Sequence, residues 1–231
     1  MTTFQKTIKY AALTFAVCLA VFIITAIMDA VIMAIDGVSG TDGKSVTESH
    51  TYHDIHSIDV DMGLGDITIR SEGSEFIVNA NDVWGFEIKE NSGSLKIETG
   101  SHNFISGSSD SSLEIIVPKD YVLDSLTVEV GVGKCVIEDI DTVKADFDTG
   151  VGELNCTGLT AGKCKIDSGI GAVSVSFKGS ISDYSIALDK GIGSATINGE
   201  SYSESTHKNK GAKNTIDLDC GIGGIDIKFE D

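Results

Sequence analysis

The chain has 231 residues, enough for one large domain or two small ones. Acidic residues outnumber basic ones 35 to 17, and residues 1–35 contribute only Lys6, Lys9 and Asp29 to these totals. A surface this acidic repels nucleic acid, because binding to nucleic acid requires Lys and Arg to neutralise phosphates. Apolar residues recur regularly throughout, so the composition also argues against intrinsic disorder.

The first element is an uncharged apolar run, residues 10–28, which resumes after Asp29 and continues to Ile35. Nineteen residues in a helix span about 28 Å, close to the thickness of the hydrocarbon core of a bilayer. The run is longer than the apolar core of a secretory signal peptide and lacks a good small-residue cleavage site. We therefore predict an uncleaved transmembrane anchor over residues 10–35.

Charges on the two sides of this anchor set its expected orientation. Lys6 and Lys9 precede it, and Asp29, Asp36 and Asp42 follow it. The positive-inside rule then makes residues 1–9 a cytoplasmic tail and places everything after the anchor outside the cell. We expect a single-pass membrane protein with a juxtamembrane linker over residues 36–54 and a folded domain over residues 55–231.

The folded domain repeats a short pattern, Gly-x-Gly followed by alternating apolar and polar residues. The first glycines are Gly63, Gly131, Gly150, Gly169, Gly191 and Gly221. From Gly131 onwards the intervals are 19, 19, 22 and 30 residues, the last lengthened by a polar insertion. The gap of 68 residues after Gly63 would fit three further units with degenerate glycines. A repeat of this period indicates stacked structural units.

Four columns of mostly apolar residues accompany the glycine pairs, at five and three positions before the first glycine and at four and six after it. The columns are Ile58, Leu126, Ala145, Cys164, Ile186 and Ile216; Val60, Val128, Phe147, Ile166, Leu188 and Leu218; Ile67, Cys135, Leu154, Val173, Ala195 and Ile225; and Ile69, Ile137, Cys156, Val175, Ile197 and Ile227. Period-two alternation places each column on one face of a short strand.

A single unit cannot bury this apolar face alone, whereas stacking in register buries each column against its own copy about 4.8 Å away. We therefore predict an all-β domain, a parallel β-helix or β-solenoid of about 19–22 residues per coil, preceded by one transmembrane α-helix. A β-sandwich would alternate similarly but would not need the repeated glycine pair. Residues 75–120 lack the pair and are expected to form a less regular, membrane-proximal half.

The order of an N-terminal anchor, SIDVDMGLGDITI, LEIIVP, LDSLTVEVGVGKCVI and repeated Gly-x-Gly units resembles the bacterial "putative adhesin" β-strand-repeat family, a domain of unknown function in envelope proteins. The resemblance covers about residues 50–231. It implies a parallel β-helix-like fold and a location at the bacterial cell surface. It implies no catalytic or binding residues.

A carboxylate stands two residues before every glycine pair, and stacking is expected to align the last five of them. The six are Asp61, Glu129, Asp148, Asp167, Asp189 and Asp219. We favour a local role, in which each carboxylate accepts a hydrogen bond from the first glycine in an Asx turn. The alternative is a row of weak calcium sites at Asp148, Asp167, Asp189 and Asp219, because calcium takes six to eight oxygen ligands. No other cofactor is expected.

Three other groups of residues have competing interpretations. His50, His53 and His56 are expected in a solvated linker, with a zinc site as the alternative. Cys135, Cys156, Cys164 and Cys220 are expected to be buried free thiols, because a bridge between Cys135 and Cys156 would be strained. The segment HKNKGAK, from His207 to Lys213, is expected to be a solvated loop, or alternatively a contact for teichoic acid or lipid headgroups.

The sequence contains no Ser/His/Asp or Cys/His grouping typical of a nucleophilic enzyme. We predict a membrane-anchored, non-enzymatic cell-surface module that presents its solenoid to an unknown envelope protein or wall polymer. One alternative is an accessory protein of an envelope-stress response. Another is a polysaccharide-acting β-helix enzyme, with paired carboxylates such as Asp148 and Asp167 at its active site.

Overall fold

A computed structural model of the chain describes residues 45–100 and 111–230. The predicted tail and anchor, residues 1–9 and 10–35, lie outside the described residues. Within residues 45–100 and 111–230 no helix has the length and apolar character needed to cross a bilayer. The all-β prediction is confirmed for the described chain, in which thirteen strands form one sheet and a 3₁₀ turn, Ile181–Asp183, is the single helical element.

The strands are β1 (Val46–Tyr52), β2 (Ser57–Leu64), β3 (Asp66–Ser71), β4 (Phe76–Val83), β5 (Glu87–Asn91), β6 (Ser94–Thr99), β7 (Ser112–Val117), β8 (Val122–Glu138), β9 (Asp141–Lys178), β10 (Tyr184–Ile197), β11 (Glu200–Tyr202), β12 (Thr206–Lys208) and β13 (Asn214–Glu230). Strand β1 lies within residues 36–54, the expected linker, and pairs antiparallel with β4. The sheet therefore begins before residue 55.

The long strands β8, β9, β10 and β13 bend at their glycine pairs and stack in parallel register, for example Val128 beside Phe147 and Ile137 beside Cys156. All 24 residues of the four apolar columns are buried, with at most 3% of their surface exposed. Burial of an aliphatic side chain contributes about 1.5–3 kcal/mol. The repeated columns therefore form the core that holds the coils together.

The first coil stacks directly on the second, so the expectation of three further units between them is wrong. Val60 pairs with Val128 and Ile67 with Cys135, both in parallel register. The intervening residues form β4 to β7, which extend the sheet beyond the first coil. Strands β6 and β7 pair in parallel register with β2 and β3 of the first coil. Strands β4 and β5 pair antiparallel with β7 and β6 on the far side.

The last strand of the chain is not the last coil of the solenoid. Leu218 of β13 pairs with Ile166 on one side and with Leu188 of β10 on the other. The terminal coil is therefore β10, and β11 and β12 pair with parts of its outer edge. The first glycines follow the spatial order Gly63, Gly131, Gly150, Gly169, Gly221 and Gly191.

Candidate functional site

The glycine pairs form two ladders at the bends of the coils. A Cβ atom on Gly150 would lie 2.5 Å from the carbonyl oxygen of Gly131, and a Cβ on Gly152 would overlap the carbonyl oxygen of Gly133. Gly152 also has φ +152°, a conformation that residues with side chains rarely adopt. The glycines therefore serve close backbone packing between coils, and their role is structural.

The carboxylates before the glycine pairs form one ladder along the outside of the solenoid. Its spatial order is Asp61, Glu129, Asp148, Asp167, Asp219 and Asp189. All six side chains are exposed or partly exposed. Asp61 thus joins the ladder, and Asp219 precedes Asp189, the reverse of their order in the sequence. We call these six residues the carboxylate ladder.

The Asx turns expected at the glycine pairs are absent from the described residues. No member of the carboxylate ladder accepts a hydrogen bond from the glycine two residues later, because the long strands run through the bend with their backbones paired between coils. Asp66, which follows the first glycine pair, accepts a hydrogen bond of 3.0 Å from the backbone N–H of Lys134 in the next coil. Asp167 instead forms an ion pair with Lys165.

Glu129 lies between Asp61 and Asp148 in the carboxylate ladder. Partial burial raises the pKa of Glu129 above its ordinary value, and repulsion from the Asp61 and Asp148 carboxylates raises it further. Asp167 has a lysine beside it instead. Its hydrogen bond with Lys165 stabilises the ammonium and so raises the pKa of Lys165. The ladder therefore combines repulsion between neighbours with local relief from a lysine.

Among the residues that the structure describes, no group of three or more His, Cys, Asp or Glu side chains is arranged to hold a metal ion. Calcium binding by Asp148, Asp167, Asp189 and Asp219 stays a prediction. The first three histidines are not brought together. His50 lies in β1 with its Nε2 3.3 Å from Glu48, whereas the Nδ1 of His56 lies 3.0 Å from the Tyr121 hydroxyl.

All four cysteines of the solenoid are free and buried, as predicted. Burial raises the pKa of Cys135 to about 12 and also raises the pKa values of Cys156 and Cys164. These thiols are therefore protonated at neutral pH. The alternative bridge between Cys135 and Cys156 is not formed.

The basic insertion is not a free loop, because part of it pairs with the terminal coil. Strand β12 contains Lys208, whose ammonium lies 3.2 Å from Glu200 and 4.6 Å from the centre of the Tyr202 ring. Lys210 and Lys213 are exposed. The insertion therefore helps to cover the edge of β10, and its contact with an anionic partner stays a prediction.

A row of outward-facing aliphatic residues is the feature that the sequence analysis missed. The residue between the two glycines is aliphatic in every coil, in the spatial order Leu64, Val132, Val151, Ile170, Ile222 and Ile192. The first four are partly exposed, while Ile222 and Ile192 are 41% and 70% exposed. We call these six residues the outer aliphatic row. Its signal was present in the sequence, as the repeated aliphatic residue within Gly-x-Gly.

Comparison with solved structures gives several matches, including the following two. A "putative cell adhesion protein" from Clostridium sporogenes ATCC 15579 aligns with a TM-score of 0.60 and 19% identity, covering 81% of this chain and 100% of that chain. A "putative adhesin" from Bacteroides fragilis NCTC 9343 has a TM-score of 0.36 and 10% identity, covering 80% of this chain and 97% of that chain. The first likeness shows a shared fold.

A search of curated proteins found no match. Residues 55–210 match the family described as Toastrack DUF4097. This match spans five of the six glycine pairs, and it confirms the family resemblance inferred from the repeats. The chain therefore belongs to the Toastrack DUF4097 family, a domain of unknown function.

Proposed function

We propose that this protein is a membrane-anchored, non-enzymatic module that binds an envelope protein or a wall polymer at the bacterial cell surface. The observation that carries this proposal is the outer aliphatic row beside the carboxylate ladder. The core of the solenoid is already filled by the four buried columns. A continuous line of aliphatic side chains on the outside is typical of an interaction surface.

Two further observations support the proposal. The apolar run over residues 10–28 is preceded by lysines and followed by aspartates, the charge distribution of an anchor with an extracellular C-terminal domain. The protein from Clostridium sporogenes that shares the fold is named for cell adhesion. A rigid, repetitive solenoid on a short tether is well suited to presenting a long contact surface outside the membrane.

Topology can be tested by cysteine labelling of intact cells. Ser203 is exposed between β11 and β12, so Ser203→Cys should react with a membrane-impermeant maleimide. Thr3→Cys, in the expected cytoplasmic tail, should react only after the membrane is permeabilised. Equal labelling of both positions in intact cells would contradict the proposed orientation, as would recovery of the protein in the soluble fraction.

Binding can be tested with a photoreactive residue placed on the solenoid in living cells. Glu153 and Ser194 are exposed next to the outer aliphatic row, and Ser74 is exposed in the turn between β3 and β4. We expect covalent adducts from positions 153 and 194 and few from position 74. The absence of adducts from all three positions would contradict a binding role.

The non-enzymatic part of the proposal has its own test. We expect the purified protein to leave acidic and neutral cell-wall polysaccharides uncleaved. Asp148 and Asp167, the carboxylates that a glycosidase would use, provide the control: polysaccharide cleavage that disappears in Asp148→Asn and Asp167→Asn would establish catalysis. Such a result would replace the binding module with an enzyme.

A further inference from the structure

The outer aliphatic row is most exposed at the end of the solenoid formed by the last three coils. Ile170, Ile222 and Ile192 lie side by side there, in parallel register. Ile222 is 41% exposed and Ile192 is 70% exposed, whereas the residues of the buried columns are at most 3% exposed. We call these three residues the isoleucine platform.

Small neighbours leave the isoleucine platform open. Each isoleucine lies between two glycines, and the residue after the second glycine is Ala172, Gly224 or Ser194 in these coils. The corresponding residues in the first three coils are Asp66, Lys134 and Glu153, which are longer and charged. The two most exposed isoleucines, Ile222 and Ile192, are therefore followed after the second glycine by Gly224 and Ser194, which are too small to cover them.

Carboxylates border the other side of the isoleucine platform. Asp167, Asp219 and Asp189 belong to the same three coils. Asp167 forms an ion pair with Lys165, but Asp219 and Asp189 form none within the described part of the chain. Lys190, on the terminal coil, donates a hydrogen bond of 3.1 Å to the carbonyl oxygen of Gly193. The two most exposed isoleucines are thus accompanied by two carboxylates without a cation.

We propose that the isoleucine platform docks a basic, aliphatic segment of a partner protein, with its aliphatic side chains on the isoleucines and its Lys or Arg side chains against Asp219 and Asp189. This inference rests on the proposed binding function and specifies the partner. Charge complementarity selects this occupant. A second copy brings the same net charge of −18, and anionic lipid or teichoic acid meets the same repulsion.

The test uses full-length protein in nanodiscs of zwitterionic lipid and three labelled octapeptides, which alternate Ile with Lys, Ser with Lys, and Ile with Glu. Fluorescence anisotropy should show that the Ile–Lys peptide binds most tightly. The double variant Ile192→Ser/Ile222→Ser should weaken that binding at least tenfold. Asp189→Asn/Asp219→Asn should weaken it and reduce its dependence on salt. The control variant Val122→Ser/Val143→Ser changes two exposed valines outside the isoleucine platform and should bind the Ile–Lys peptide like the wild type.

Several results would overturn the inference. One is equal binding of the Ile–Lys and Ser–Lys peptides, and another is unchanged binding by Ile192→Ser/Ile222→Ser when its melting temperature matches the wild type. Sedimentation that reveals a dimer lost in this variant would identify a second copy as the occupant. Binding to phosphatidylglycerol vesicles lost in this variant would identify a lipid surface.

The cell-based crosslinking separates this inference from the proposed function. Adducts that persist from positions 153 and 194 in the Ile192→Ser/Ile222→Ser background would leave the binding module standing and overturn the platform as its docking site. A lack of adducts in every background would contradict the binding module itself. If adducts form in the wild type and are lost only in the Ile192→Ser/Ile222→Ser variant, the result supports both the binding module and the isoleucine platform as its docking site.

Discussion

Asp219 in β13 lies in parallel register beside Asp167 in β9. The strand near the C-terminus is therefore an inner coil, and β10 is joined to the rest of the solenoid through it. Phe229 of β13 reinforces this connection, because its ring centroid lies 5.5 Å from that of Phe177 and 5.3 Å from that of Tyr184. These contacts make β13 the link between β9 and β10.

Truncation after Lys213 tests this arrangement. We expect β10 to lose its protection from hydrogen exchange, because it keeps only its short antiparallel contacts with β11 and β12. Strand β8 and the first half of β9 should stay protected, since they pair with each other. Mass spectrometry of deuterium uptake by peptides from each strand measures the difference.

Deletion of residues 203–205, which are exposed between β11 and β12, is the control for this truncation. It shortens the chain without removing β13, and β10 should keep most of its protection. Full protection of β10 in the truncated protein would contradict the role assigned to β13.

The glycine ladders predict that the loss of stability caused by a glycine-to-alanine substitution depends strongly on the position of the glycine. Gly152→Ala places a methyl group against the carbonyl oxygen of Gly133 in a conformation unfavourable to alanine, so we expect a loss of about 3 kcal/mol or more. Gly224→Ala is the matched control, because its Cβ would meet only Ser194 Oγ, at 3.6 Å. Denaturant unfolding should show little change for Gly224→Ala. Equal losses in the two variants would refute the close-packing explanation.

Glu129→Gln should stabilise the protein at pH 7. The raised pKa of Glu129 means that its ionisation opposes folding. Because the ladder is solvated, removal of this one charge should increase the free energy of unfolding by less than about 1 kcal/mol. The advantage is present above the raised folded-state pKa and disappears at pH values below the ordinary pKa of the glutamate side chain in the unfolded state. Unfolding curves from pH 4 to pH 8 should show this trend.

Glu75→Gln provides the control for this charge effect, because Glu75 is exposed outside the carboxylate ladder. It should leave the free energy of unfolding nearly unchanged at each pH. A Glu129→Gln variant that is destabilised at pH 7 would show that the carboxylate makes a favourable contact instead.

Calcium binding by the carboxylate ladder predicts a rise in melting temperature at millimolar calcium. Clustered carboxylates lose some of their mutual repulsion when a divalent cation binds. Asp167→Asn and Asp219→Asn, which change two adjacent members, should reduce the rise. Sodium chloride of equal ionic strength is the control, and an equal effect of the two salts would remove the calcium hypothesis.

The four core thiols should resist alkylation in the native state at neutral pH. Burial keeps them protonated, with the pKa of Cys135 raised to about 12, and the thiolate is the reactive form. After unfolding without reductant, mass spectrometry should find all four alkylated. Peptides from residues 10–35 are counted separately because Cys18 belongs to that segment. Unmodified cysteine pairs after unfolding would reveal a disulfide.

The core could be predicted from sequence because burial imposes a repeated chemical pattern. Ile58 and Leu126, for example, are separated by a long irregular segment, yet their positions relative to the glycine pairs predicted that they share a column, and they pair directly. The carboxylate ladder followed from the same register. Period and polarity therefore determined which residues face inward.

The order of the coils could not be predicted in this way. Leu188 and Leu218 occupy the same column and suit either position, so nothing in their pattern states which coil stacks on Ile166. Antiparallel pairing of β4 and β5 was missed for a related reason, since alternation is the same in either strand direction. The exposure of Ile192 was missed because the bend interrupts the alternation of apolar and polar residues, and that alternation was the basis for predicting which side chains face the core.

The placement of β13 also bears on how the chain acquires its structure. The earlier coils can stack as soon as they leave the ribosome, because each follows its partner in the sequence. Strand β10 emerges before β13 and must wait for it, with an open edge toward its future neighbour. We expect the final step of folding to be the entry of β13 between β9 and β10, two segments that have already been synthesised.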